Sequence, residues 1–406
     1  MDQRSPHVNR PGPSGPAGLT HTIKPRAFEG PGLYLHIPFC LRKCPYCDFF
    51  SLPADPELLT AYPDLLIAQL ERESRTHRWQ GPFSTVFFGG GTPSLLPPEA
   101  IGRILTQADR LFGLTSRVEI SLEANPGTVS LDSLSGYRAA GVNRLSFGVQ
   151  SLNDAYLQRL GRIHTAADAR NAVRWARNAG FDNLSCDLIF ALPHQSPQAA
   201  LADLEAVLDL APQHLSCYGL GIEPDTVFAQ QLDTGELHPA SEEIYAEMFC
   251  QLHSQLTNAG FEHYEISNYA RPGKACLHNL NTWQRHPYLG LGPGAHSFCA
   301  SEWGERRSVP PDLETYIAAV TTGLDPTVCL ETFDLSGAMA ETAYLGLRCT
   351  EGVEDAGFFN RFGTRFTDAF PQAIARCGEH LTRQHGYWNL DLQGWLLFDH
   401  FISGFL

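Results

Sequence analysis

The sequence predicts an α/β chain: a TIM-like partial (β/α)6 barrel followed by a small α-rich C-terminal domain. Three observations predict it. Six apolar runs of β type alternate with helix-type segments from Gly32 to about residue 240. Glycines and polar residues able to bind ligands fall at or just beyond the ends of those runs. From about Ser301 the alternation gives way to helical patterns. Strand–helix alternation marks parallel βαβ units whose sheet faces are both covered, and six units leave a barrel open where eight would close it.

Residues 1–30 are Pro- and Gly-rich and polar, and are expected to stay disordered. The apolar runs then follow in order: LYLHIP (33–38), TVFFGGG (85–91), VEISLE (118–123), RLSFGVQ (144–150), LSCDLIFALP (184–193) and HLSCYGLGIE (214–223). Between them lie helical segments such as LLTAYPDLLIAQLERES and ADLEAVLDLA. One opens on a capping box, Thr165 to Asp168, and stops at Gly180, where a helix C-terminus favours glycine. Residues 31–240 therefore read as the barrel. Residues 241–300 extend it, with a helix over 241–260 opening on Glu242 and Glu243, then HYEISNYA as a short strand or loop, then HNLNTW. Residues 301–406 read as a separate helical domain of winged-helix type.

An apolar fraction of 43% supports substantial cores, and the formal charge of −15 argues against a nucleic-acid partner read through phosphates. Apart from Cys40, Cys44 and Cys47 the cysteines are scattered singly, without the spacing of a disulfide framework, which suits a reducing compartment. The N-terminus carries no apolar stretch of signal-peptide length and no run reaches membrane-spanning length, so a cytoplasmic location is expected.

Cys40, Cys44 and Cys47 form a C-x3-C-x2-C triplet on a short loop after the first apolar run. Structural zinc usually takes four ligands with paired C-x2-C spacings, and no second pair follows. Three thiolates so close suit a [4Fe-4S] cluster. One iron then lacks a protein ligand and is open to a small chelator, at this spacing usually S-adenosylmethionine (SAM).

YLHIPFCLRKCPYCDF, FFGGGTPSLL, LEANP, RLSFGVQS, LGRIH, DLIFALP, YEISNYA and HNLNTW resemble, in that order, the motifs of radical SAM proteins of the oxygen-independent coproporphyrinogen III oxidase-like family. The likeness is strong over roughly residues 31–300 and weaker beyond. It implies that Gly90, Gly91 and Thr92 hold the methionyl end of SAM, glycine letting backbone N–H groups approach a ligand. Gln150 and Arg162 match SAM-pocket positions. Glu123, at a strand end, suits a ribose diol or an ammonium group, though a lone Glu is more often solvated. Asp187 sits inside an apolar run, where a carboxylate needs a partner or a ligand. Tyr34 and Tyr46 flank the cysteine loop and offer rings to the cofactor, or simply to the core. His36 is expected to donate to the cluster or SAM without ligating iron.

Two positions separate branches of the family. True coproporphyrinogen oxidases carry a further Cys where this chain has Phe49; Phe at this position resembles the haem-chaperone branch. That branch resembles H-N-x-x-Y-W downstream, whereas here Thr282 replaces the Tyr while His278, Asn279 and Trp283 remain. The resemblance makes His278 the candidate axial ligand to haem, with Trp283 as a flat wall, against the alternative of a hydrogen-bonded core histidine. Cys276 and Cys299 are alternative thiolate ligands.

The expected function is haem binding and transfer to acceptor haemoproteins, with the cluster and SAM gating handover or oligomerisation. An electron donor such as ferredoxin or flavodoxin is implied. Peripheral membrane contact through acceptors is allowed, and the oligomeric state is left open. The alternative is radical SAM oxidative decarboxylation of coproporphyrinogen III; methyl transfer or ring opening on a tetrapyrrole is more distant. SAM cleavage is within reach of the fold under any of these.

Overall fold

The computed structural model describes residues 28–406, so most of the segment expected to be disordered lies outside the described residues. Its last three residues are tied down. Phe28 packs edge-on to His286, with centroids 5.1 Å apart, and the Gly30 carbonyl accepts a hydrogen bond from Ser84 at 2.7 Å.

Six strands pair side by side in parallel and in chain order: β1 (Gly32–Ile37), β2 (Phe83–Gly90), β3 (Leu114–Ala124), β4 (Arg144–Gln150), β5 (Leu184–Phe190) and β6 (His214–Gly219). Helices α1 (Pro56–Ser74), α2 (Pro98–Phe112), α3 (Leu131–Ala140), α4 (Ala166–Asn178) and α5 (Pro197–Leu208) cross between them, and α6 (Glu242–Asn258) follows the last. This is the expected (β/α)6 arrangement. The strands read as near-continuous apolar runs because both faces are covered; every residue from Phe83 to Gly89 is buried. Local signals set the helix ends. Asp55 caps α1 by accepting from the N–H groups of Glu57 and Leu58, both at 2.9 Å. Thr165 and Asp168 form the capping box that opens α4.

The sheet is wider than the sequence suggested. HYEISNYA forms β7 (Glu262–Glu265) and β8 (Asn268–Ala270), an antiparallel pair that lies beyond β6. On the other flank β9 (Tyr288–Leu291) pairs in parallel with β1, and β10 (His296–Cys299), β11 (Glu305–Ser308) and β12 (Val328–Thr332) continue antiparallel. The result is a 12-stranded sheet in the order β12-β11-β10-β9-β1-β2-β3-β4-β5-β6-β8-β7. Residues 305–308 and 328–332, assigned from sequence to the terminal domain, thus belong to the barrel's sheet. Backbone pairing decides this, and short strands such as ERRS carry no apolar alternation to reveal it.

After β12 the chain runs through α7 (Leu335–Leu347), β13 (Val353–Glu354), α8 (Asp355–Phe362), α9 (Phe366–Ala369), α10 (Pro371–Cys377), β14 (Leu381–Gln384) and β15 (Tyr387–Leu390). The three strands pair in the order β13-β15-β14. Helix, strand, three helices and a closing hairpin, with the last strand central, is a winged-helix arrangement. It docks on the barrel through backbone bonds from Ile266 N to the Arg348 carbonyl at 3.1 Å and Thr350 N to the Tyr264 carbonyl at 3.0 Å. Arg348 also pairs with the fully buried Glu265 at 3.2 Å.

The N-terminal mouth of the barrel is closed by a short helix, Leu277–Trp283, which carries HNLNTW. No side chain of its own caps it. Glu119, buried on β3, does so instead: one carboxylate oxygen accepts from Leu277 N at 2.9 Å and His278 N at 3.2 Å. Two otherwise orphaned backbone donors are thereby satisfied next to a helix dipole. Glu119→Ala is expected to cost about 2 kcal/mol, from the lost cap and the unpartnered donors. The check is a lowered urea midpoint for the variant.

Candidate functional site

The parallel register brings the C-terminal ends of β1 to β6 to one rim, where a cavity of about 400 Å³ opens. That is within the ~300–1,000 Å³ typical of small-ligand sites. Cys40, Cys44, Tyr46, Cys47, Gly90, Gly91, Thr92, Glu123, Gln150, Arg162 and Asp187 all line it. The cysteine loop approaches from one side, with each thiol free.

The glycine turn lets the loop come close. Gly91 N donates to the Ile37 carbonyl at 2.9 Å. A Cβ at Gly91 would lie 2.7 Å from the Phe39 carbonyl oxygen and 3.0 Å from Cys40 Sγ. Gly90 has φ +108°, and a Cβ there would meet the His36 ring at 2.7–2.8 Å. His36 itself stands behind the turn: its Nδ1 shares a hydrogen bond of 3.1 Å with Tyr34 Oη, and its Nε2 bonds the Phe50 carbonyl at 2.9 Å. It braces the end of the cysteine loop.

Donors reach two of the sulfurs. Thr92 Oγ1 lies 3.4 Å from Cys40 Sγ, and Arg162 Nη1 lies 3.5 Å from Cys44 Sγ. Arg162 is held by a bond from Nη2 to the Gly148 carbonyl at 2.8 Å. Burial, with Cys44 and Cys40 beside it, pushes the Cys47 thiol up to about 11, so a thiolate there calls for a cationic partner. Among the described residues no three His, Cys, Asp or Glu side chains close around a single metal ion. The loop cysteines instead line one wall, as a multi-iron cluster requires when each thiolate takes a different iron.

Carboxylates and an amide form the opposite wall. Glu123 sits beside Ser146 in the ladder, and Asp187 accepts from Ser146 Oγ at 3.3 Å. Loss of solvent, and then the nearby Asp187, push the Glu123 carboxyl up to about 8. Desolvation likewise raises Asp187, opposed by hydrogen bonding from Ser216 and by the buried Arg144. Gln150 takes φ +65° where the pairing of β4 with β5 shifts register. Its Oε1, and Nε of Arg162, are buried with no hydrogen-bond partner among the described residues. Such orphans in a native site call for a partner, and a polar ligand in this cavity would supply one. The residues present fit a three-thiolate cluster with a polar, amino- and carboxylate-bearing ligand.

Two expected residues lie elsewhere. Tyr34 is half-buried in the barrel interior beside Phe87 and His278, with centroids 6.2 Å from each. His278 sits at the opposite, N-terminal mouth. Its Nδ1 bonds Thr85 Oγ1 at 2.9 Å, its ring packs on Phe87 at 5.2 Å, and only 6% of its surface is exposed. Burial holds this imidazole down at about 3, neutral at any ordinary pH. Here it is a satisfied core histidine. Of the alternative thiolates, Cys276 is buried beside Glu119 and Cys299 is buried in β10.

Sequence reasoning missed Tyr218, Gly219, Gly221 and Glu223, which also line the cavity. HLSCYGLGIE was read as one strand, but β6 stops at Gly219 and the remainder turns over the rim. The G-x-G at 219–221 was the available signal.

The Radical SAM superfamily model matches residues 34–207, and the HemN C-terminal domain model matches residues 334–397. Among curated relatives, the heme chaperone HemW of Haemophilus influenzae is 42% identical over 279 residues, spanning 67% of this chain and 71% of its own. The heme chaperone HemW of Bacillus subtilis is 34% identical over 85% of this chain and 90% of its own. The chain belongs to the HemW family of radical SAM proteins. Its fold is that of coproporphyrinogen III oxidase (HemN) from Escherichia coli, with a TM-score of 0.79 over 94% of this chain and 91% of that one, at 23% identity. Radical SAM family membership brings a [4Fe-4S] cluster and SAM as cofactors. No helix among the described residues is long and apolar enough to cross a membrane.

Gly91→Ala is expected to force the cysteine loop and the glycine turn apart, because the nearest obstacle is a backbone carbonyl that cannot rotate away. Iron content after anaerobic reconstitution should fall several-fold, while far-UV circular dichroism stays unchanged.

Proposed function

We propose that this HemW-family chain is a haem chaperone, binding haem and passing it to acceptor haemoproteins by ligand exchange. One observation carries the reading: 42% identity to a heme chaperone HemW across two thirds of this chain. Phe49 favours it over coproporphyrinogen decarboxylation, since an exposed phenylalanine stands on the cavity rim where that activity is expected to bring a fourth thiolate.

In this reading Cys40, Cys44 and Cys47 hold the cluster, and Thr92 and Arg162 direct donors at two of its sulfurs. Gly90 and Gly91 keep the wall thin enough for SAM to approach. Glu123 and Asp187 face its cationic groups, and Gln150 accepts a hydrogen bond at the far wall. Tyr46 and Tyr218 close the sides against water. When bound and reduced, the cluster–SAM pair supplies electron transfer into a carbon–sulfur bond. A ferredoxin or flavodoxin would be the electron donor, reaching the cluster past Arg42 and Lys43 on the same rim.

His278 remains the proposed axial ligand to haem, with a structural condition attached. Its ring must leave Thr85 and Phe87, so the helix at the N-terminal mouth moves before iron is bound. A Soret titration of the full chain tests this. The wild type should develop a saturable band that His278→Ala lacks, and coproporphyrinogen III should yield no vinyl-bearing product. An unchanged band in the variant would reject His278, and formation of protoporphyrinogen would reject the chaperone reading.

SAM affinity should depend on Glu123. The carboxyl is protonated below about 8 and charged above it. Binding of a cationic ligand favours the charged form, so affinity should tighten as pH rises from 6.5 to 8.5. Isothermal titration on the reconstituted protein checks this, and Glu123→Gln should flatten the dependence.

A further inference from the structure

A second cavity, about 260 Å³, lies between the helix at the barrel's N-terminal mouth and the winged-helix unit. It shares no lining residue with the cysteine site. Its size is below the ~300–1,000 Å³ of drug-sized sites, so the occupant is small. Aromatic and aliphatic side chains, Leu280 and Phe358 among them, make up much of its wall.

Its charged groups are sorted by sign. Arg285 and Arg361 lie near each other, and so do Glu351 and Glu354. Arg285 is only 4% exposed. It bonds Glu341 through Nε and the Trp303 carbonyl through Nη2 at 2.6 Å, yet its Nη1 is buried with no partner among the described residues. Nε1 of Trp283, which also lines the cavity, is equally without one. Leaving such donors unmet is costly, most of all for a charged group, so something that accepts hydrogen bonds belongs beside them. Glu351 accepts from Gln284 Nε2 at 3.3 Å, and burial, then Glu354 nearby, push its carboxyl up to about 7. A cation is what two crowded carboxylates lack.

We propose that this cavity binds a free α-amino acid with an apolar side chain, its carboxylate on Arg285, Arg361 and the Trp283 indole N–H, its ammonium on Glu351 and Glu354. A ligand of one sign leaves one set unmet: a simple carboxylate would face Glu354, and a simple amine would leave Arg285 Nη1 and the Trp283 indole N–H without an acceptor. A zwitterion answers both, and its side chain takes the apolar part of the wall. The assignment does not depend on haem or on SAM.

Isothermal titration of the full chain, cluster reconstituted, tests it with L-leucine, L-phenylalanine, 3-phenylpropionate and phenethylamine as probes. At least one of the amino acids should bind saturably, and the two compounds lacking one charge should bind about 10-fold more weakly or worse, equivalent to about 1.4 kcal/mol. Arg361→Gln, at the exposed edge of the cavity, should weaken the amino acid by a similar factor without changing iron content or melting temperature. Glu354→Gln should do so through the ammonium. Saturable binding by neither amino acid means that water fills the cavity and overturns the proposal. Equal binding of the single-charge compounds, or binding untouched by both variants, overturns it too.

Discussion

The close approach of two backbone segments, the glycine turn after β2 and the cysteine loop after β1, is the constraint on which the site depends. Parallel pairing sets Ile37 beside Gly90, and the next hydrogen bond, Gly91 N to the Ile37 carbonyl, draws the turn under the loop. With no Cβ at Gly91, Cys40 Sγ and the Phe39 carbonyl can sit where any side chain would stand. Thr92 can then reach the Cys40 sulfur. From this seam the rest of the rim takes its place by register alone: Glu123 beside Ser146, Asp187 beside Ser216. Side chains two residues apart on a strand share a face, so the barrel interior receives a continuous polar lining without any loop having to fold inward.

That lining makes the barrel interior unusual for a core. Arg144 is wholly buried and near Glu119 and Asp187, while Ser185 and His214 bond each other at 2.7 Å below it. His214 also meets Tyr264 at 2.8 Å. Buried charge is expensive unless it is compensated, and here one guanidinium is shared between carboxylates at both ends of the barrel. It lowers the cost of keeping Glu123 and Asp187 in a dry cavity, and it sits over the carboxylate that caps the closing helix. Site and base are therefore linked through the barrel's own core, by electrostatics as well as by packing.

Much of this was legible in the sequence. The six strands, their alternation with helices and the rim chemistry were all visible because they rest on local patterns: apolar runs, a capping box, glycines at strand ends. The C-x3-C-x2-C loop was legible for the same reason. What escaped were features that depend on long-range pairing. Strands β9 to β12 join the sheet through backbone bonds that short, mixed segments do not advertise. The loop after β6 looked like more strand because its apolar residues continue past Gly219. Tyr34 was expected at the cofactor because it is near Cys40 in sequence, but two strand positions along β1 separate it from His36, and it faces the interior beneath the rim.

His278 shows best why a motif can be read as a pattern while its place in space stays open. HNLNTW follows the barrel in sequence, and the sequence offers no way to tell which mouth it closes. The fold sends it to the N-terminal mouth, where Glu119 and Thr85 receive it. An imidazole held neutral, packed on Phe87 and hydrogen-bonded to a threonine stabilises the closed base well. Those same contacts occupy the ring that a macrocyclic iron would need. The helix is short, lacks a side-chain cap of its own and takes its N-terminal cap from a carboxylate on a neighbouring strand. A residue that serves the core in one position and a ligand in another has to sit on such an element. Placed on β2 or β3, the same histidine would have no route out without breaking the sheet that holds the cluster loop in place.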